Sequence, residues 1–270
     1  MDSRTSTLAR FFPLLLMVHS IALASVWEIN VNTVMTAAGR KLPHPTSAQP
    51  AFYLPYVVGY QEIGSVSASA KKLSADVPIE HYLATALASQ GYLVTHVTGT
   101  KLDPPPSLLL IFRWGHLNSH IYDDQDEDTG ATNHHYNERA HQKAMLLVGV
   151  KETDLFDDRM TKRDLVSSAD DERYYVTIAA YDFATYYTQH KTDLLWVSRM
   201  SIPQQDLELD QVVAPLITTG TPFLGRETVD PQVIDIGGPT GKVEVGPTVV
   251  KGTVTPDAAQ PPAPTPAPQH

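Results

Sequence analysis

Histidine and acidic side chains are concentrated in one stretch, residues 116–141, and are the residues best suited to chemistry. If a helix begins near Asn133, then His134, Glu138 and His141 occupy positions i, i+4 and i+7 on one face. Imidazole and carboxylate groups together are ligands for Zn²⁺ or another divalent metal. These three residues are therefore the candidate metal ligands, and a divalent cation would be the cofactor.

The same stretch also fits a solvated acidic loop followed by an exposed helix face. It contains no His-Glu-x-x-His motif. The acidic residues between Asp123 and Asp128 lack the glycine and the distal glutamate that a calcium-binding EF-hand loop requires. We therefore expect no cofactor, and the metal site is the alternative.

Motifs of the common enzyme classes are missing from the chain. There is no Gly-x-Ser-x-Gly nucleophile elbow, no phosphate-binding Gly-x-x-x-x-Gly-Lys loop and no Gly-x-Gly-x-x-Gly turn. The chain has 0 cysteines, which excludes thiol catalysis, thiolate metal sites and disulfides. We interpret the protein as a non-catalytic binding or structural protein of the cell envelope; the alternative is a metal-dependent hydrolase using residues 116–141.

The charge of the chain limits its partners. The formal net charge is −10 at pH 7, which argues against a nucleic acid or an anionic membrane surface, because both need clustered Lys and Arg. A protein of the cell envelope is the expected partner.

The N-terminus has the pattern of a secretory signal. Arg4 and Arg10 precede the apolar run Phe11–Ala24, which is short for a membrane span and ends in Ala-Leu-Ala. We predict cleavage after Ala24, export to the periplasm or beyond, and no transmembrane span in the mature chain. An uncleaved N-terminal anchor is the alternative.

Two apolar segments, Tyr174–Tyr181 and Leu194–Ile202, are the elements around which the others are expected to pack. Both are rich in β-branched and aromatic residues. The polar connection Asp182–Asp193 allows them to form an antiparallel pair in the middle of a sheet.

The remaining periodic segments complete an α/β fold (an α+β sandwich): one mixed, largely antiparallel sheet with helices packed on it. The expected strands are Phe52–Tyr60, with Pro55 at an edge or bulge, Tyr92–Val97, and Ser107–Trp114, buried on both faces. The expected helices are a first with the stripe Ile79, Tyr82, Leu83, Ala86 and Leu87, a second from Asn133 to Leu147 ending near Gly149, and a third from Leu207 to Thr219, broken or kinked at Pro215.

The chain divides into four parts by composition. We predict a signal peptide at 1–24, an extended lead-in at 25–49, a single α/β domain at 50–226, and a low-complexity, proline-rich, mostly disordered tail at 227–270.

Polar residues within and beside the strands have two interpretations. Arg113 and Arg199 lie inside apolar strands, and we expect each to pair with a carboxylate such as Asp182 or Glu172; the alternative is that each points to solvent on the other face of its strand. Asp182 is expected to bond backbone amides at the end of its strand. The rings of the neighbouring aromatic residues are expected to cover the end of the sheet; the alternative is that Tyr181, Phe183, Tyr186 and Tyr187 form a recognition surface.

Several segments together resemble a family of exported bacterial proteins of uncharacterised function. They are Ala88-Ser-Gln-Gly-Tyr-Leu93, Pro106-Ser-Leu-Leu-Leu-Ile111, Trp114-Gly115, Tyr181-Asp-Phe183, Leu195-Trp196, Arg199-Met-Ser201 and Phe223-Leu-Gly-Arg226. The resemblance implies an exported protein with a single α/β domain, and it implies no activity. A fold-level similarity to periplasmic α/β domains of cell-envelope assembly proteins carries no function.

Overall fold

The computed structural model describes residues 26–65, 77–125, 132–151, 160–205 and 207–237. The strands are β1 (Val26–Met35), β2 (Ala51–Gly64), β3 (Tyr92–Val94), β4 (His96–Thr98), β5 (Lys101–Asp103), β6 (Leu108–Asn118), β7 (His120–Gln125), β8 (Thr132–Tyr136), β9 (Arg173–Asp182), β10 (Leu194–Pro203) and β11 (Gln232–Gly237). The helices are α1 (Ile79–Ser89), α2 (Glu138–Val148), α3 (Met160–Ser168), α4 (Phe183–Gln189) and α5 (Leu209–Gly220).

Seven strands form one twisted layer in the order β11-β1-β10-β9-β6-β2-β3. The pairs on the β11 side, up to and including β9 with β6, are antiparallel, whereas β2 is parallel to both β6 and β3. Two short hairpins, β4 with β5 and β7 with β8, stand outside this sheet. The predicted mixed, largely antiparallel sheet with helices packed on it is confirmed.

The two faces of the sheet are covered by different helices, because side chains alternate along each strand. Tyr174 belongs to the larger cluster, which includes Leu83 of α1 and Leu216 of α5. Its neighbour Tyr175 belongs to the smaller cluster, which includes Leu147 of α2 and residues of α3. We call these the α1/α5 face and the α2/α3 face.

The centre of the sheet agrees with the sequence analysis. β9 and β10 are antiparallel neighbours at the middle of the layer, and β6 lies on the other side of β9. The apolar run of β6 is buried on both faces along most of its length, as its continuous hydrophobic pattern predicts.

Pro55, which has no backbone N–H, lies in the part of β2 that has a paired strand on one side only. β3 pairs with Ala51–Tyr53 alone, so beyond Tyr53 that edge of β2 has no partner strand among the described residues. The register with β6 shifts between Val57 and Gly59. The expected edge position and the expected bulge are therefore both present.

The first and last helices bury the predicted stripes. In α1, Ile79, Leu83, Ala86 and Leu87 are buried, and Tyr82 packs partly against the same core. α5 is continuous through Pro215, so the predicted break is absent. Buried side chains on both sides of the proline, at Val213 and Leu216, hold the helix on the sheet.

Both limits predicted for the domain are wrong. The lead-in 25–49 contains β1, which lies between β10 and β11 inside the sheet. The tail 227–270 contains β11, whose Ile234 and Ile236 pack against the core. β1 carries the apolar–polar alternation of a half-buried strand, and its polar residues Asn30 and Asn32 are buried as well, on the α2/α3 face.

Two segments predicted as loop or helix are strands. The acidic loop forms β7 and β8, which pair as a hairpin. The second helix does not begin at Asn133; Asn137 caps it, its side chain accepting a hydrogen bond from the Ala140 N–H at 3.1 Å. The helix ends at Gly149 as predicted, with φ of 83°.

The predicted signal peptide and the proline-rich end of the predicted tail lie outside the described residues. Within the described ranges, no helix combines the length and the apolar character that crossing a membrane requires.

Candidate functional site

The three candidate metal ligands do not share a helix face. His134 lies in β8, paired in register with Asp123 of β7, whereas Glu138 and His141 lie in α2. The spacing i, i+4, i+7 therefore does not bring the three residues onto one helix face, because the helix begins after His134. The side chain of His134 is outside the described part of the structure.

His141 is engaged by its own surroundings. Its Nδ1 lies 3.6 Å from Asp170 Oδ1, and its ring lies 4.8 Å from that of Tyr136. Among the described side chains, no group of three or more His, Asp or Glu residues is arranged to hold a metal ion. The metal site stays a prediction.

His116 lies in a different environment, at the α1/α5 face of β6. It is fully buried, pairs in register with Glu62 and Tyr174, and places Nε2 3.1 Å from Glu172 Oε1. Burial lowers the pKa of His116, and the nearby carboxylate of Glu172 opposes that shift. Full burial and a lowered pKa suit a structural group of the core better than a group that exchanges protons with a ligand.

A sizeable cavity lies at the opposite end of the sheet. It has a volume of about 590 Å³ and opens where β1 and β9 end and where β2, β6 and β10 begin. We call it the end cavity. Its apolar lining includes Met35, Leu42, Ala51, Tyr92, Leu108 and Trp196. A volume of this size and an apolar lining are typical of small-ligand sites.

Aromatic rings form the floor of the end cavity. The rings of Tyr92 and Trp196 lie 5.7 Å apart, and the imidazole of His44 meets Tyr92 edge-on at 6.0 Å. Burial raises the pKa of Tyr92, so its phenol stays neutral at physiological pH. Such a floor offers flat apolar surface together with hydrogen-bonding groups at its edge.

Gly225 is required for this packing. It has φ of 63°, and a Cβ added there would lie 2.0 Å from Tyr92 Oη and 3.2 Å from Trp196 Cε2. The loop can approach the two rings this closely because it carries no side chain at that position.

Three titratable groups at the end cavity are already held by protein atoms. Nδ1 of His44 lies 2.8 Å from the carbonyl of Pro45, and its Nε2 lies 3.3 Å from that of Leu224. Asp182 caps α4 by accepting a hydrogen bond from the Thr185 N–H at 2.7 Å.

Arg40 makes a two-point ion pair with Glu227, including Nε to Oε2 at 2.6 Å. Because these groups serve the loops around the cavity, they are poorly placed for acid–base catalysis.

Arg226 differs from these groups. It lines the end cavity, its side chain is exposed, and it forms no ion pair with a carboxylate in the described part of the chain. Its charge lowers the pKa of Tyr92 against the larger effect of burial, which places the guanidinium near the aromatic floor. Among its described lining residues, the end cavity therefore combines an apolar interior with one cation, Arg226, that no carboxylate holds.

The expectation for Asp182 and its aromatic neighbours is confirmed in part. Asp182 bonds a backbone amide as predicted. Phe183 and Tyr187 stack at 5.7 Å, but the ring of Tyr187 is 70% exposed and does not cover the sheet.

The predicted pairing of Arg113 and Arg199 with Asp182 or Glu172 is wrong. Neither arginine forms a salt bridge within the described ranges. Both side chains lie on the α2/α3 face, in register with Thr177, whereas Glu172 lies beside His116, which faces α1 and α5.

Comparisons with known proteins leave the family of this chain open. No family model matches, and no curated protein matches. Among solved structures, the chain is similar to a PDZ domain protein from Parabacteroides distasonis ATCC 8503, with a TM-score of 0.37 and 10% identity. That alignment covers 78% of this chain and 39% of the other chain, so the present chain spans well under half of that protein.

Sequence reasoning missed the end cavity, although its residues were in view. Five segments that carry the family resemblance meet there and contribute Tyr92, Ser107, Asp182, Trp196 and Arg226. The local pattern assigns most of these residues to strands and their ends, and their convergence depends on the sheet order. Placement at strand ends was the available signal, because ligands often bind at such ends.

Proposed function

We propose that the protein is an exported, non-catalytic binding protein of the cell envelope whose ligand occupies the end cavity. The ligand class is a small amphipathic molecule with an aromatic or aliphatic body and one anionic group. The apolar body lies against Tyr92 and Trp196, and the anionic group pairs with Arg226.

The observation that carries this proposal is the contrast within the cavity lining. Its floor is aromatic and rigidly packed, while His44, Asp182 and Arg40 are engaged in holding loops. Arg226 is left to meet a ligand. Binding needs shape and a few directed polar groups, and both are present; acid–base catalysis needs an available titratable pair, which the described lining does not offer.

Export is supported by the sequence pattern alone. Two arginines precede an apolar run that ends in Ala-Leu-Ala, and the chain carries no cysteine that would need protection from an oxidising compartment. The mass of protein recovered from its host tests this directly. A chain that begins at Ser25 is expected, and soluble protein that retains Met1 would contradict export.

The metal-dependent alternative gains no support from the described residues, because His134 lies on a strand apart from Glu138 and His141. A melting curve with and without Zn²⁺ tests it, since a metal bound by the native state must raise the melting temperature.

The binding test uses 8-anilinonaphthalene-1-sulfonate, an aromatic anion whose fluorescence rises in apolar surroundings. We expect saturable binding to the full chain. Ser107→Trp should abolish it, because Ser107 is exposed at the cavity lining and an indole there obstructs entry. Arg226→Gln should weaken it about ten-fold, the usual scale for a lost charged hydrogen bond.

Thr98→Trp is the matched control for the added indole. Thr98 is exposed on β4 and does not line the cavity, so the dye should bind this variant as it binds the unaltered chain. Equal binding by the unaltered chain and the Ser107→Trp variant would overturn the proposal.

A further inference from the structure

Two arginines flank one hydroxyl on the α2/α3 face of the sheet. Arg113 of β6 and Arg199 of β10 are both in register with Thr177 of β9, which lies between them. Residues directly opposite on neighbouring antiparallel strands have Cβ atoms roughly 4.5–5.5 Å apart. The two guanidinium groups therefore rise from adjacent positions on either side of the Thr177 hydroxyl.

These cations lack a counter-charge in the described ranges. Arg199 Nη1 donates to the neutral Asn32 Oδ1 at 3.3 Å, and neither Arg199 nor Arg113 is paired with a carboxylate there. Burial lowers the pKa of Arg199, which shows that the cation is partly desolvated. A half-buried cation without a carboxylate partner in the described ranges is stabilised when an anion binds beside it.

A cleft lies over these residues, between the strands and α2. Its volume is about 160 Å³, and its lining includes Lys143 of α2 and Tyr175 of β9. A water molecule occupies about 30 Å³ in the liquid, so the cleft has room for a small polyatomic anion. We call this cleft the basic groove.

The two hydroxyls of the basic groove differ. Burial raises the pKa of Tyr175, so its phenol keeps its proton, but it donates that proton to the carbonyl of Gln61 at 3.4 Å. Thr177 is half-buried beneath the arginines. The described lining of this small space thus includes two arginines, one lysine and the Thr177 hydroxyl, beside the apolar side chains of Ile63, Leu117, Leu146 and Leu147.

We propose that the basic groove binds a phosphate group, with Arg113 and Arg199 gripping its oxygens above Thr177. Arginine forks match phosphate oxygens in paired hydrogen bonds. The third positive charge, on Lys143, favours a phosphate with two negative charges over a singly charged carboxylate. This site lies on the α2/α3 face and is independent of the end cavity.

The test is isothermal titration of the full chain with inorganic phosphate and, separately, with glycerol 3-phosphate. Acetate at matched ionic strength is the arm for a singly charged carboxylate. We expect both phosphates to bind saturably and acetate to bind at least ten-fold more weakly. Tighter binding of the ester than of inorganic phosphate would identify an esterified phosphate as the better ligand.

Arg113→Gln and Arg199→Gln should each weaken phosphate binding about ten-fold or more. Arg139→Gln is the control, because Arg139 is an exposed arginine of α2 that does not line the groove. Melting curves without phosphate verify that each variant folds. The proposal is overturned if phosphate does not bind, if acetate binds as well, or if the groove variants bind phosphate like the control.

Discussion

The end cavity and the basic groove lie on the same sheet but differ in the chemistry of their linings. In the cavity, loops occupy most charged groups and leave an aromatic floor with Arg226 at its side. In the groove, Arg113 and Arg199 lie on regular strands with no paired carboxylate in the described ranges. The cavity can select shape and apolar area, whereas the groove can select charge.

The two sites also differ in the structural elements that position their side chains. The end cavity depends on loops, so its geometry is sensitive to a single added atom at Gly225. The basic groove depends on strand register, so its arginines stay in place as long as β6, β9 and β10 are paired. Substitutions should therefore affect stability strongly at the cavity and weakly at the groove.

The largest effect is expected from cutting the chain after Arg226, because this damages both regions together. Glu227 pairs with Arg40 beside the cavity, and Lys151 Nζ donates to the carbonyl of Val229 at 2.9 Å near the end of α2. The cut also removes β11 and its pairing with β1. We expect the melting temperature to fall by about 10 °C or more, or the chain not to fold.

The control for that cut is a chain that ends at Val254, which loses only the proline-rich end. Its composition predicts no burial, so its melting temperature should match that of the full chain. Equal melting temperatures for the full chain and the chain cut after Arg226 would contradict the place of β11 in the sheet.

Trp196→Ala should be the most damaging single substitution at the cavity. Trp196 is 3% exposed and supports Tyr92, so removing it leaves a large void. We expect a loss of about 3–5 kcal/mol in the free energy of unfolding, measured by urea denaturation. Arg113→Gln in the groove is the comparison. A similar loss in the free energy of unfolding there would contradict the expected difference in stability effects between the two sites.

Gly225→Ala tests the close approach at the cavity against a matched glycine. Gly225 and Gly99 both have φ of 63°, but a Cβ at Gly99 would meet nothing within 4 Å. The two alanine variants share the backbone strain, so the excess loss at Gly225, expected to be about 1–2 kcal/mol, reports the contact with Tyr92.

Combining Gly225→Ala with Tyr92→Phe should recover part of that excess, because the hydroxyl that the new methyl group meets is removed. The free energies of unfolding of the four chains form a double-mutant cycle. Purely additive losses would show that the close contact is not the cause.

Protonation of buried His116 should make the free energy of unfolding depend on pH. Because its folded pKa is lowered, the unfolded chain binds the proton more readily, and stability is full above the reference pKa of 6.5 and falls as pH drops below it. The facing groups are Glu172, Glu62 and Tyr174. His116→Gln should flatten the fall between about pH 6.5 and 5 in urea denaturation.

His190→Gln is the control, because His190 is exposed on the loop after α4. It should leave the pH dependence unchanged. If the free energy of unfolding of the His116→Gln variant falls with pH as steeply as that of the control, buried His116 is not the titrating group.

The smallest effect is expected from Arg199→Gln in buffer without phosphate. Removing the half-buried charge relieves its cost of desolvation, which offsets the lost hydrogen bond to Asn32. We expect a change within about 0.5 kcal/mol in the free energy of unfolding. A loss of several kcal/mol would indicate that the arginine has a structural partner.

The sequence predicted the elements whose pattern is local and complete. β6, β9, β10 and α1 carry clean apolar periods, and the structure confirms them. β1 also has the local alternation of a half-buried strand, but that pattern does not show that its polar face is buried too, where Asn32 donates to the carbonyl of Leu147 at 2.6 Å. That partner lies 115 positions away, which no local pattern reveals.

The sites were harder to predict for the same reason. The positions of Arg113 and Arg199 on either side of Thr177 follow from the register of three strands, and a shift by one residue would separate them. The end cavity needs the order of the whole sheet. The composition of the histidine-rich stretch suggests metal ligands. However, the helix is capped at Asn137, so His134 lies outside the helix that carries Glu138 and His141.

Two-ligand titration followed by nuclear magnetic resonance tests the central claim most directly. With 8-anilinonaphthalene-1-sulfonate, the indole N–H resonance of Trp196 should shift, and the guanidinium N–H resonances of Arg113 and Arg199 should not. With phosphate, the two arginines should shift and Trp196 should not. If the dye leaves Trp196 unmoved while the chain stays folded, the end cavity is not a binding site and the account is contradicted.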